Sequence, residues 1–423
     1  MTHHHSIAIA GAGIGGLTAA IALADGGHSV TVFEAVREIK PLGVGINVLP
    51  HAVAVLTELG LGGTLSTLGV ATEALLFTNR FGQTIYRDAR GIAGGYSHPQ
   101  HSIHRGALHM ALLAAAAERG TAIQIHIDSR VDGFSNTADG VALQVKGASE
   151  RTATADVFIA ADGIHSASRA QCYPNEGSPK WNGMMMWRGT TLARAFLGGR
   201  TMVQAGNKFA KFVAYPIEPI DTKTGLQLIN WICDIRVENG IGGTLTAPIR
   251  ESWSTAGHSA DLLPRFGDWV LDWQDGAVPV RNIINNAAQI FQWPMVDRDP
   301  LPRWTHGRMT LLGDAAHPMY PIGSNGATQS ILDAKALADA LSQHDDVNIA
   351  LQSYEALRRP MTAEIVQLNR GEGLDIILDM VDERAPNGFA ALADVIDPTA
   401  IESVVTRYKR AAGHRATPLT RTP

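Results

Sequence analysis

The sequence predicts an α/β protein in which a mostly parallel sheet is interrupted by a second, mostly antiparallel sheet. Three observations support this fold class. Residues 6–34 read as a buried strand, a glycine-rich turn, a helix and a second strand, which is the order of a βαβ unit. Residues 181–293 are instead short β-like segments rich in aromatic residues and methionine. A buried strand at Arg308–Gly313 and a following helix then return the chain to the first sheet.

The composition is that of a folded protein of enzyme size. With 423 residues, the chain is longer than a single core normally grows, so two closely packed domains are expected. Its 45% hydrophobic and 18% charged residues are ordinary for a globular protein. The net charge of −5 lacks the basic excess that a phosphate-backbone binder needs, which argues against nucleic acid as a partner.

Cysteine use and hydropathy argue against several other classes. Cys172 and Cys233 show no paired spacing that would suggest a disulfide framework or a structural zinc site. The apolar run after His3–His5 lacks the cationic start and cleavage pattern of a signal peptide. No sequence window reaches the roughly 18 uncharged apolar residues of a membrane span. We therefore expect a cytoplasmic protein without a metal site or a membrane partner, either a monomer or a homodimer.

The elements of the first part of the chain follow from apolar periodicity and turn residues. Leu17–Asp25 and Pro50–Leu59 have helical patterns, and Leu75–Tyr86 alternates like an antiparallel hairpin around the turn at Asn79–Gly82. The Ala- and Leu-rich segment Ala107–Arg119 predicts another helix. The strands expected to complete the first sheet are Ala122–Ile127, Val141–Val145 and Asp156–Ala161.

The middle and the end of the chain have different patterns. The strands predicted in the middle include Met184–Arg188, Lys211–Tyr215 and Leu226–Asp234. After them, Ala327–Leu341 has apolar residues at three- and four-residue spacing, which predicts an amphipathic helix. Further helices are expected at Asn348–Asn369 and Phe389–Arg410, and the residues up to Pro423 read as a loose tail.

The run Gly11-Ala-Gly13-Ile-Gly15-Gly16 lies at the first predicted strand-to-helix turn. Missing side chains there let backbone N–H groups and a helix N-terminus approach a pyrophosphate. Glu34 ends the next strand, where a carboxylate is able to accept hydrogen bonds from both hydroxyls of an adenosine ribose. Together these features predict dinucleotide binding, with a purely structural turn as the alternative. Glu34 would repel a 2′-phosphate, which disfavours NADP at this site, but the fingerprint does not distinguish NAD from FAD.

A second motif, Gly313-Asp314-Ala-Ala-His317, follows the strand at Arg308–Gly313 and precedes the helix from Ala327. Asp314 would accept hydrogen bonds from the ribityl chain of a flavin, and the N–H groups at the helix start would face its pyrimidine edge. Because that edge gains negative charge on reduction, the positive helix end would stabilise a reduced, anionic flavin. The alternative is that Asp314 caps a helix and that His317 is a hydrogen-bonded packing residue. For His317 we favour this alternative.

A third segment, Asp162-Gly163, also joins a predicted strand to a helix start, and by itself it is only a turn. In this order and at these separations, the three motifs resemble the group A flavoprotein aromatic hydroxylases, the family that includes para-hydroxybenzoate and salicylate hydroxylases. The resemblance covers residues 5–175 and 300–375 by motif and the whole chain by layout. Phrases such as Pro294–Pro300 are most similar to monooxygenases of this family that act on phenazine carboxylates.

The resemblance implies a fold and a domain organisation. The expected fold is an FAD-binding Rossmann-like domain of the GR2 type, with an inserted, mostly antiparallel substrate-binding sheet and C-terminal helices. The FAD-binding domain would comprise residues 1–178 and 299–375, the inserted sheet residues 179–298, and a C-terminal helix with the loose tail residues 376–423. One departure is Gly323-Ser-Asn-Gly326, where many relatives have a Gly-Gln-Gly pattern, and it leaves the contacts to the flavin ring open.

The same resemblance implies that FAD is the bound cofactor, that NADH or NADPH is a transient co-substrate and that O2 is the oxidant. Arg105 would point toward the pyrophosphate, and the Asp162-Gly163 turn would lie where FAD and the nicotinamide cofactor both pass. The residues implied to hold the cofactor are Gly11, Gly13, Ile14, Gly15, Gly16, Glu34, Val44, Gly45, Arg105, Val131, Asp162, Gly313, Asp314, Gly326 and Ala327.

The implied activity is hydroxylation of a small aromatic substrate that is carboxylated, phenolic or N-heterocyclic. The nicotinamide would reduce FAD, O2 would add to the reduced ring, and the resulting flavin hydroperoxide would transfer oxygen to the aromatic carbon without a protein nucleophile. Hydroxylation with loss of CO2 and hydroxylation that retains the carboxylate are both open. Candidate substrate contacts are Arg188 for a carboxylate, Tyr215 for a phenol or ring nitrogen, Trp231, Trp293, and Pro321 near the flavin. Core packing is the alternative for the aromatic residues and a surface salt bridge for Arg188.

Two other functional classes use fewer of these features. An NAD-dependent dehydrogenase would use the glycine-rich fingerprint but would leave Gly313-Asp314 unexplained. A non-catalytic FAD-binding protein would use all three motifs without turnover, because a fold does not by itself determine a function. The aromatic hydroxylase is the favoured hypothesis.

Overall fold

The computed structural model describes residues 4–147, 150–237, 255–371 and 373–411. Within them it contains two large sheets, three small ones and eleven helices. The strands are β1 (Ser6–Ala10), β2 (Ser29–Phe33), β3 (Gly45–Val48), β4 (Gly69–Thr72), β5 (Ala74–Thr78), β6 (Thr84–Ala89), β7 (Gln100–His104), β8 (Ile123–His126), β9 (Ser129–Asn136), β10 (Val141–Gly147), β11 (Arg151–Ala155), β12 (Val157–Ala160), β13 (Lys180–Arg194), β14 (Thr201–Gly206), β15 (Ala210–Pro216), β16 (Leu226–Arg236), β17 (Val270–Trp273), β18 (Gly276–Pro279), β19 (Ile290–Asp297), β20 (Thr305–His306) and β21 (Met309–Leu311). The helices are α1 (Ile14–Asp25), α2 (Pro50–Glu58), α3 (Gly62–Leu68), α4 (Arg105–Glu118), α5 (Ala167–Cys172), α6 (Leu263–Phe266), α7 (Val280–Asn285), α8 (Asn325–Gln343), α9 (Val347–Arg370), α10 (Ile376–Asp382) and α11 (Pro398–Ala411).

The first large sheet has six strands in the order β20-β21-β12-β1-β2-β8. All its pairings are parallel except that of β20 with β21. The four residues of β12 are all buried, as are the last four of β1, because helices cover both faces of a parallel sheet. Helix α1 packs against α4 and α8. The prediction of an α/β fold built on this sheet is confirmed.

The second large sheet has seven strands in the order β19-β13-β16-β15-β14-β5-β6. Its outer face carries a core of aromatic residues that packs against α6 and α7 and includes Trp181, Phe212 and Trp231. Its inner face carries Tyr215 and other apolar side chains that pack against α10 and α11. The hairpin predicted at Leu75–Tyr86 is present as β5 and β6, and β5 joins this sheet by parallel pairing with β14.

Three expectations for individual elements were wrong. The strand expected at Val141–Val145 belongs not to the first sheet but to a three-stranded sheet in which β10 pairs with its neighbours β9 and β11, because short turns favour antiparallel pairing. Helix α1 begins at Ile14 rather than Leu17, since the glycines of the turn adopt helical geometry. The helix expected from Phe389 begins at Pro398, because the carboxylate of Asp397 accepts a hydrogen bond from the Thr399 N–H (2.8 Å) and the proline favours a first helical position.

The C-terminal part of the chain covers the inner face of the second sheet. Helix α10 was missed by the periodicity analysis, and it packs together with α11 on residues of β5, β14 and β15. The tail expected after Arg410 lies, from residue 412 onward, outside the described residues. Among the described helices, none has both the length and the apolar composition that a membrane crossing requires.

Candidate functional site

The sequence motifs meet at one edge of the parallel sheet. Gly11 follows β1, Glu34 follows β2, Asp162 lies two residues after β12, and Gly313 lies two residues after β21. These four strands are neighbours in the sheet and run in the same direction. In open α/β sheets, ligands bind in the crevice beyond the carboxyl ends of such strands.

The glycine-rich turn is closed by contacts that only glycine permits. Gly11 has a φ of +96°, and a Cβ on it would lie 2.5 Å from the carbonyl oxygen of Ala161. A Cβ on Gly16 would lie 2.0 Å from the carbonyl oxygen of Gly11. Gly13, at the start of α1, has open space in the direction of a Cβ. The turn therefore packs tightly against the sheet while its outer side leaves room for an anion in front of α1.

The carboxylate of Glu34 lies against this turn. Its Oε2 accepts a hydrogen bond from the Ala12 N–H (2.7 Å), and its Oε1 accepts one from the Val36 N–H (3.0 Å). On the other side of the turn, Nε2 of His109 lies 2.6 Å from the Ala12 carbonyl oxygen. Glu34 is only partly buried, so its oxygens retain capacity for further donors. The expected ribose contact stays a prediction.

Asp162 and Gly163 form a turn that starts α5. The Oδ2 of Asp162 accepts a hydrogen bond from the Ala167 N–H (2.9 Å), and Ser166 caps the helix by accepting one from the Arg169 N–H (2.9 Å). Gly163 has a φ of +80° and open space around its Cα. Asp162 thus has a structural role as a cap, and its expected contact with FAD stays a prediction.

Arg169 is a residue whose role the sequence did not reveal. Its guanidinium is buried, and Nη1 donates to the carbonyl oxygens of Ala315 (3.0 Å) and Ala316 (2.9 Å), while Nε donates to Glu176 (2.8 Å). These bonds tie the helix that follows Asp162 to the segment that contains Asp314. Nothing in the sequence signalled this role, because arginine is rarely buried and these carbonyl partners lie 146 and 147 residues away in the chain.

Asp314 and Arg105 lie near enough to each other for their charges to interact. The side chain of Asp314 is accessible to water, but it lies deep among protein atoms. This burial raises the pKa of its carboxyl, and the interactions with His317 and Arg105 act in the opposite direction. Burial lowers the pKa of Arg105, and the charge of Asp314 opposes that effect. Arg105 is the first residue of α4 and packs along Gly43, where a Cβ would lie 3.3 Å from its Cδ.

A buried charged cluster holds the Gly313-Asp314 segment from behind. Asp333 accepts hydrogen bonds from the Gly313 N–H (3.1 Å) and from Nε of Arg358 (2.8 Å), and its Oδ2 lies 2.5 Å from Nε2 of His317. Gly313 has a φ of +62°, which favours glycine. His317 is buried in this cluster, in agreement with the packing role that we favoured for it.

The segment before α8 supplies the remaining edge of the recess. Pro321 is exposed, Gly323 and Ser324 have φ values of +70° and +61°, and α8 then begins at Asn325. Gly326 is only partly buried and has no atom within 4 Å of a Cβ position. The first N–H groups of this 19-residue helix therefore lie next to open space, as an anionic flavin edge would require.

Three strands of the second sheet converge on a single residue, Gly45. Its N–H donates to Oδ1 of Asn230 (2.6 Å), and its carbonyl oxygen accepts from Nη2 of Arg188 (2.7 Å) and from the Tyr215 hydroxyl (2.8 Å). A Cβ on Gly45 would lie 2.6 Å from that of Asn230. This clamp, formed by Arg188, Tyr215 and Asn230, joins the sheet to the start of β3, next to buried Val44.

The structure thus gives packing roles to several expected substrate contacts. Arg188 and Tyr215 are buried in the clamp, and the Arg188 guanidinium lies over the Trp293 ring, 5.2 Å from its centroid. Trp231 has no exposed surface, and its indole N–H donates to the Thr191 hydroxyl (3.0 Å) in the outer core. The substrate roles of these residues stay predictions, as does that of exposed Pro321. Val131, an expected cofactor contact, has a buried side chain in the first core.

A pocket opens beside the segment before α8 and beneath the edge of the second sheet. Its cavity volume is about 40 Å³, and it opens to solvent. Its apolar walls come from Leu49, Leu75 and Phe77, and its boundary toward the recess is Ile322 and Gly323. This pocket could not be anticipated from the sequence, because its lining comes from segments far apart in the chain.

The recess fits FAD on the chemistry of its residues. The open spaces at Gly13 and Gly326 leave two helix N-termini accessible for a pyrophosphate and for the flavin pyrimidine edge. Between them, the accessible carboxylate of Asp314 is an acceptor for the hydroxyls of a ribityl chain, and Arg105 adds a positive charge beside it.

Comparisons with known proteins agree with this geometry. The family described as FAD binding domain matches residues 4–190 and 283–369. Phenazine 1,6-dicarboxylic acid hydroxylase PhzS of Lysobacter antibioticus is 45% identical over 95% of this chain and 96% of its own length. 3-Amino-4-hydroxybenzoate 2-monooxygenase PtnB3 of Streptomyces platensis is 31% identical, with 88% of each chain covered. Among solved structures, Klebsiella pneumoniae HpxO complexed with FAD and uric acid has a TM-score of 0.73 at 24% identity, covering 98% of this chain and 94% of its own.

The chain therefore belongs to the FAD binding domain family of flavoprotein monooxygenases. It is an FAD-dependent aromatic monooxygenase, and the dehydrogenase and non-catalytic alternatives are not supported. FAD is its cofactor, as predicted from the three motifs, and NAD(P)H and O2 are the co-substrates typical of this class.

Proposed function

We propose that this enzyme hydroxylates a planar, polycyclic aromatic carboxylic acid of the phenazine type, with NADH or NADPH and O2. The observation that carries the proposal is the pocket beside Ile322 and Gly323, which has apolar walls formed by Leu49, Leu75 and Phe77 and which adjoins the recess that fits FAD. The 45% identity to a phenazine 1,6-dicarboxylic acid hydroxylase over nearly the whole chain supports the same substrate class.

FAD, when bound, would supply the activation of O2 and the transfer of one oxygen atom. The protein contributes position and environment. The N-terminus of α8 would stabilise negative charge on the pyrimidine edge, and Asp314 with Arg105 would hold the ribityl and phosphate portions. The second sheet would exclude water from the reacting atoms, and the clamp on Gly45 would fix the distance between that sheet and the cofactor segment.

In this assignment Arg188 and Tyr215 are positioning residues rather than direct substrate ligands. Both already bond the carbonyl oxygen of Gly45, so they hold the backbone next to Val44, where a main-chain contact with FAD is expected. Trp293 lies beneath the Arg188 guanidinium and holds that side chain in place through a cation–π contact.

We further propose that the enzyme works in the cytoplasm, as a monomer or homodimer, without a nucleic-acid partner. Both cysteines, Cys172 and Cys233, are free thiols, as expected for a protein in a reducing compartment. The net charge of −5 gives it no attraction for a phosphate backbone. Size-exclusion chromatography with light scattering would determine the oligomeric state.

The test is oxidation of NADH and NADPH by the FAD-loaded protein in the presence of phenols, salicylates, quinolones or phenazine carboxylates. Phenazine carboxylates should raise the rate above that without substrate, and a flat response across the panel with FAD bound would overturn the proposal. Product mass distinguishes the two outcomes of hydroxylation: replacement of the carboxyl group lowers the mass by about 28 Da, whereas hydroxylation at a ring C–H raises it by about 16 Da.

A further inference from the structure

The lining of the pocket is polar as well as apolar. Arg90 and Tyr96 line it just after β6, the edge strand of the second sheet, and Leu75 and Phe77 of the neighbouring strand β5 form part of its apolar wall. The segment at Ile322, which adjoins the FAD recess, lines the same pocket. A planar ligand in the pocket would therefore contact both the apolar wall and Arg90.

Arg90 and its ion-pair partner Asp88 both line the pocket, but the side chain of Arg90 is the more exposed of the two. Nη2 of Arg90 lies 2.8 Å from Oδ2 of Asp88, and the two side chains are 15% and 1% exposed. A ligand in the pocket thus meets the guanidinium more readily than the carboxylate. Burial raises the pKa of the Tyr96 hydroxyl. The charge of nearby Arg90 lowers this pKa and that of Asp88 raises it, and the net direction is upward. Its hydroxyl is therefore a neutral donor beside the guanidinium.

The charged residues on the other wall are already paired. Asp375 accepts hydrogen bonds from the amide of Gln204 and from the ammonium of Lys211, and Lys211 also pairs with Asp234 at 3.2 Å. Lys211 itself does not line the pocket. Among the described lining residues, Arg90 is then the one positively charged side chain available to a ligand.

We propose that Arg90 is a specificity-determining residue that binds a carboxylate of the aromatic substrate in this pocket. This inference rests on the proposed function and deepens it. A guanidinium with a neutral phenol beside it favours a carboxylate over its uncharged amide, because charge-assisted hydrogen bonds are about twice as strong as neutral ones. The ring of the substrate lies against Leu75 and Phe77, and its reacting part lies next to Ile322.

The experiment compares phenazine-1-carboxylate with phenazine-1-carboxamide on the FAD-loaded enzyme. Binding is followed by the change in flavin fluorescence and turnover by NAD(P)H oxidation. The Arg90→Gln variant should bind the carboxylate about 10- to 100-fold more weakly, as expected for loss of a hydrogen bond to a charged group, and bind the carboxamide almost unchanged. The matched control is Arg87→Gln, which removes an exposed arginine of β6, three residues before Arg90, and should change neither affinity.

A second variant separates substrate binding from a structural role of Arg90. Since Arg90→Gln leaves the buried carboxylate of Asp88 without its partner, the double variant Asp88→Asn/Arg90→Gln should recover stability. It should still lack the preference for the carboxylate. The inference is wrong if the double variant regains the preference for the carboxylate. It is also wrong if Arg90→Gln keeps that preference while the wild-type enzyme turns over phenazine-1-carboxylate. A wild-type enzyme that neither binds nor turns over any aromatic acid would instead overturn the proposed function itself.

Discussion

Asp333 is the buried carboxylate that supports the Gly313-Asp314 segment. It has no exposed surface, and it is bonded to the Gly313 N–H, to His317 and to the guanidinium of Arg358. Replacing Asp333 by asparagine leaves the buried guanidinium of Arg358 without its counter-charge and takes the carboxylate away from His317. We expect the free energy of unfolding to fall by about 3–5 kcal/mol, the range for breaking one side of a buried ion pair.

The same carboxylate gives the stability a defined pH dependence. Despite its burial, the charges of His317 and Arg358 lower the pKa of Asp333 from 3.8 to about 2. Because the pKa is lower in the folded state, the stabilisation is present above pH 3.8 and is lost as the pH falls toward about 2. The shift corresponds to about 2 kcal/mol of stability at neutral pH.

The assay is urea unfolding of the FAD-loaded protein between pH 7 and pH 3, followed by tryptophan fluorescence. Trp304 is a local reporter, because its ring lies 5.3 Å from the ring of His317. The matched control is Asp339→Asn on the same helix, where the carboxylate pairs with Lys335 at the surface, and its effect should stay within about 0.5 kcal/mol. If Asp333→Asn were no more destabilising than this control and kept the acid dependence of the wild type, the reasoning from burial would be refuted.

The remaining predictions concern single side chains. Gly16→Ala should abolish the retention of FAD, measured by flavin absorbance of the purified protein, because the new methyl group would lie 2.0 Å from a carbonyl oxygen of the glycine-rich turn. The control Gly63→Ala, which has open space at the Cβ position, should retain FAD in the same absorbance measurement. Tyr215→Phe should lower the free energy of unfolding by about 1 kcal/mol through loss of the hydrogen bond to Gly45, and an unchanged value would argue against the clamp. Burial raises the pKa of Cys172 to about 11, so mass spectrometry should show alkylation at pH 8 only after unfolding.

The fold of the first sheet could be predicted because its signals are local. A strand that is buried on both faces is a continuous apolar run, and a glycine-rich turn followed by an apolar helix marks its end. The same reasoning identified Glu34, Asp162 and Gly313 as residues at strand ends. Parallel strands place such ends at one edge of a sheet, so the cofactor recess could be anticipated without coordinates.

The inserted sheet was predictable only as a set of strands. Alternation shows that β5 and β6 form a hairpin, but nothing local shows that β5 pairs with β14, because the two strands are more than 100 residues apart in the chain. Likewise, the residue types of Arg188, Tyr215 and Trp231 are those expected to contact an aromatic acid. Their partners Gly45 and Thr191 come from other strands, and so their structural roles became evident only from the contacts.

The amino-acid sequence was enough to recognise the family and, through the resemblance to it, the cofactor, and to anticipate the edge of the sheet at which the motifs meet, because these rest on short motifs of glycines and carboxylates at strand ends. The tertiary structure decided which side chains support that site and which ones face a ligand. Asp333 and Arg169 acquire their roles from groups 16 and 146 residues away in the chain. Long-range pairing and burial set those roles, and they are properties of the packed chain.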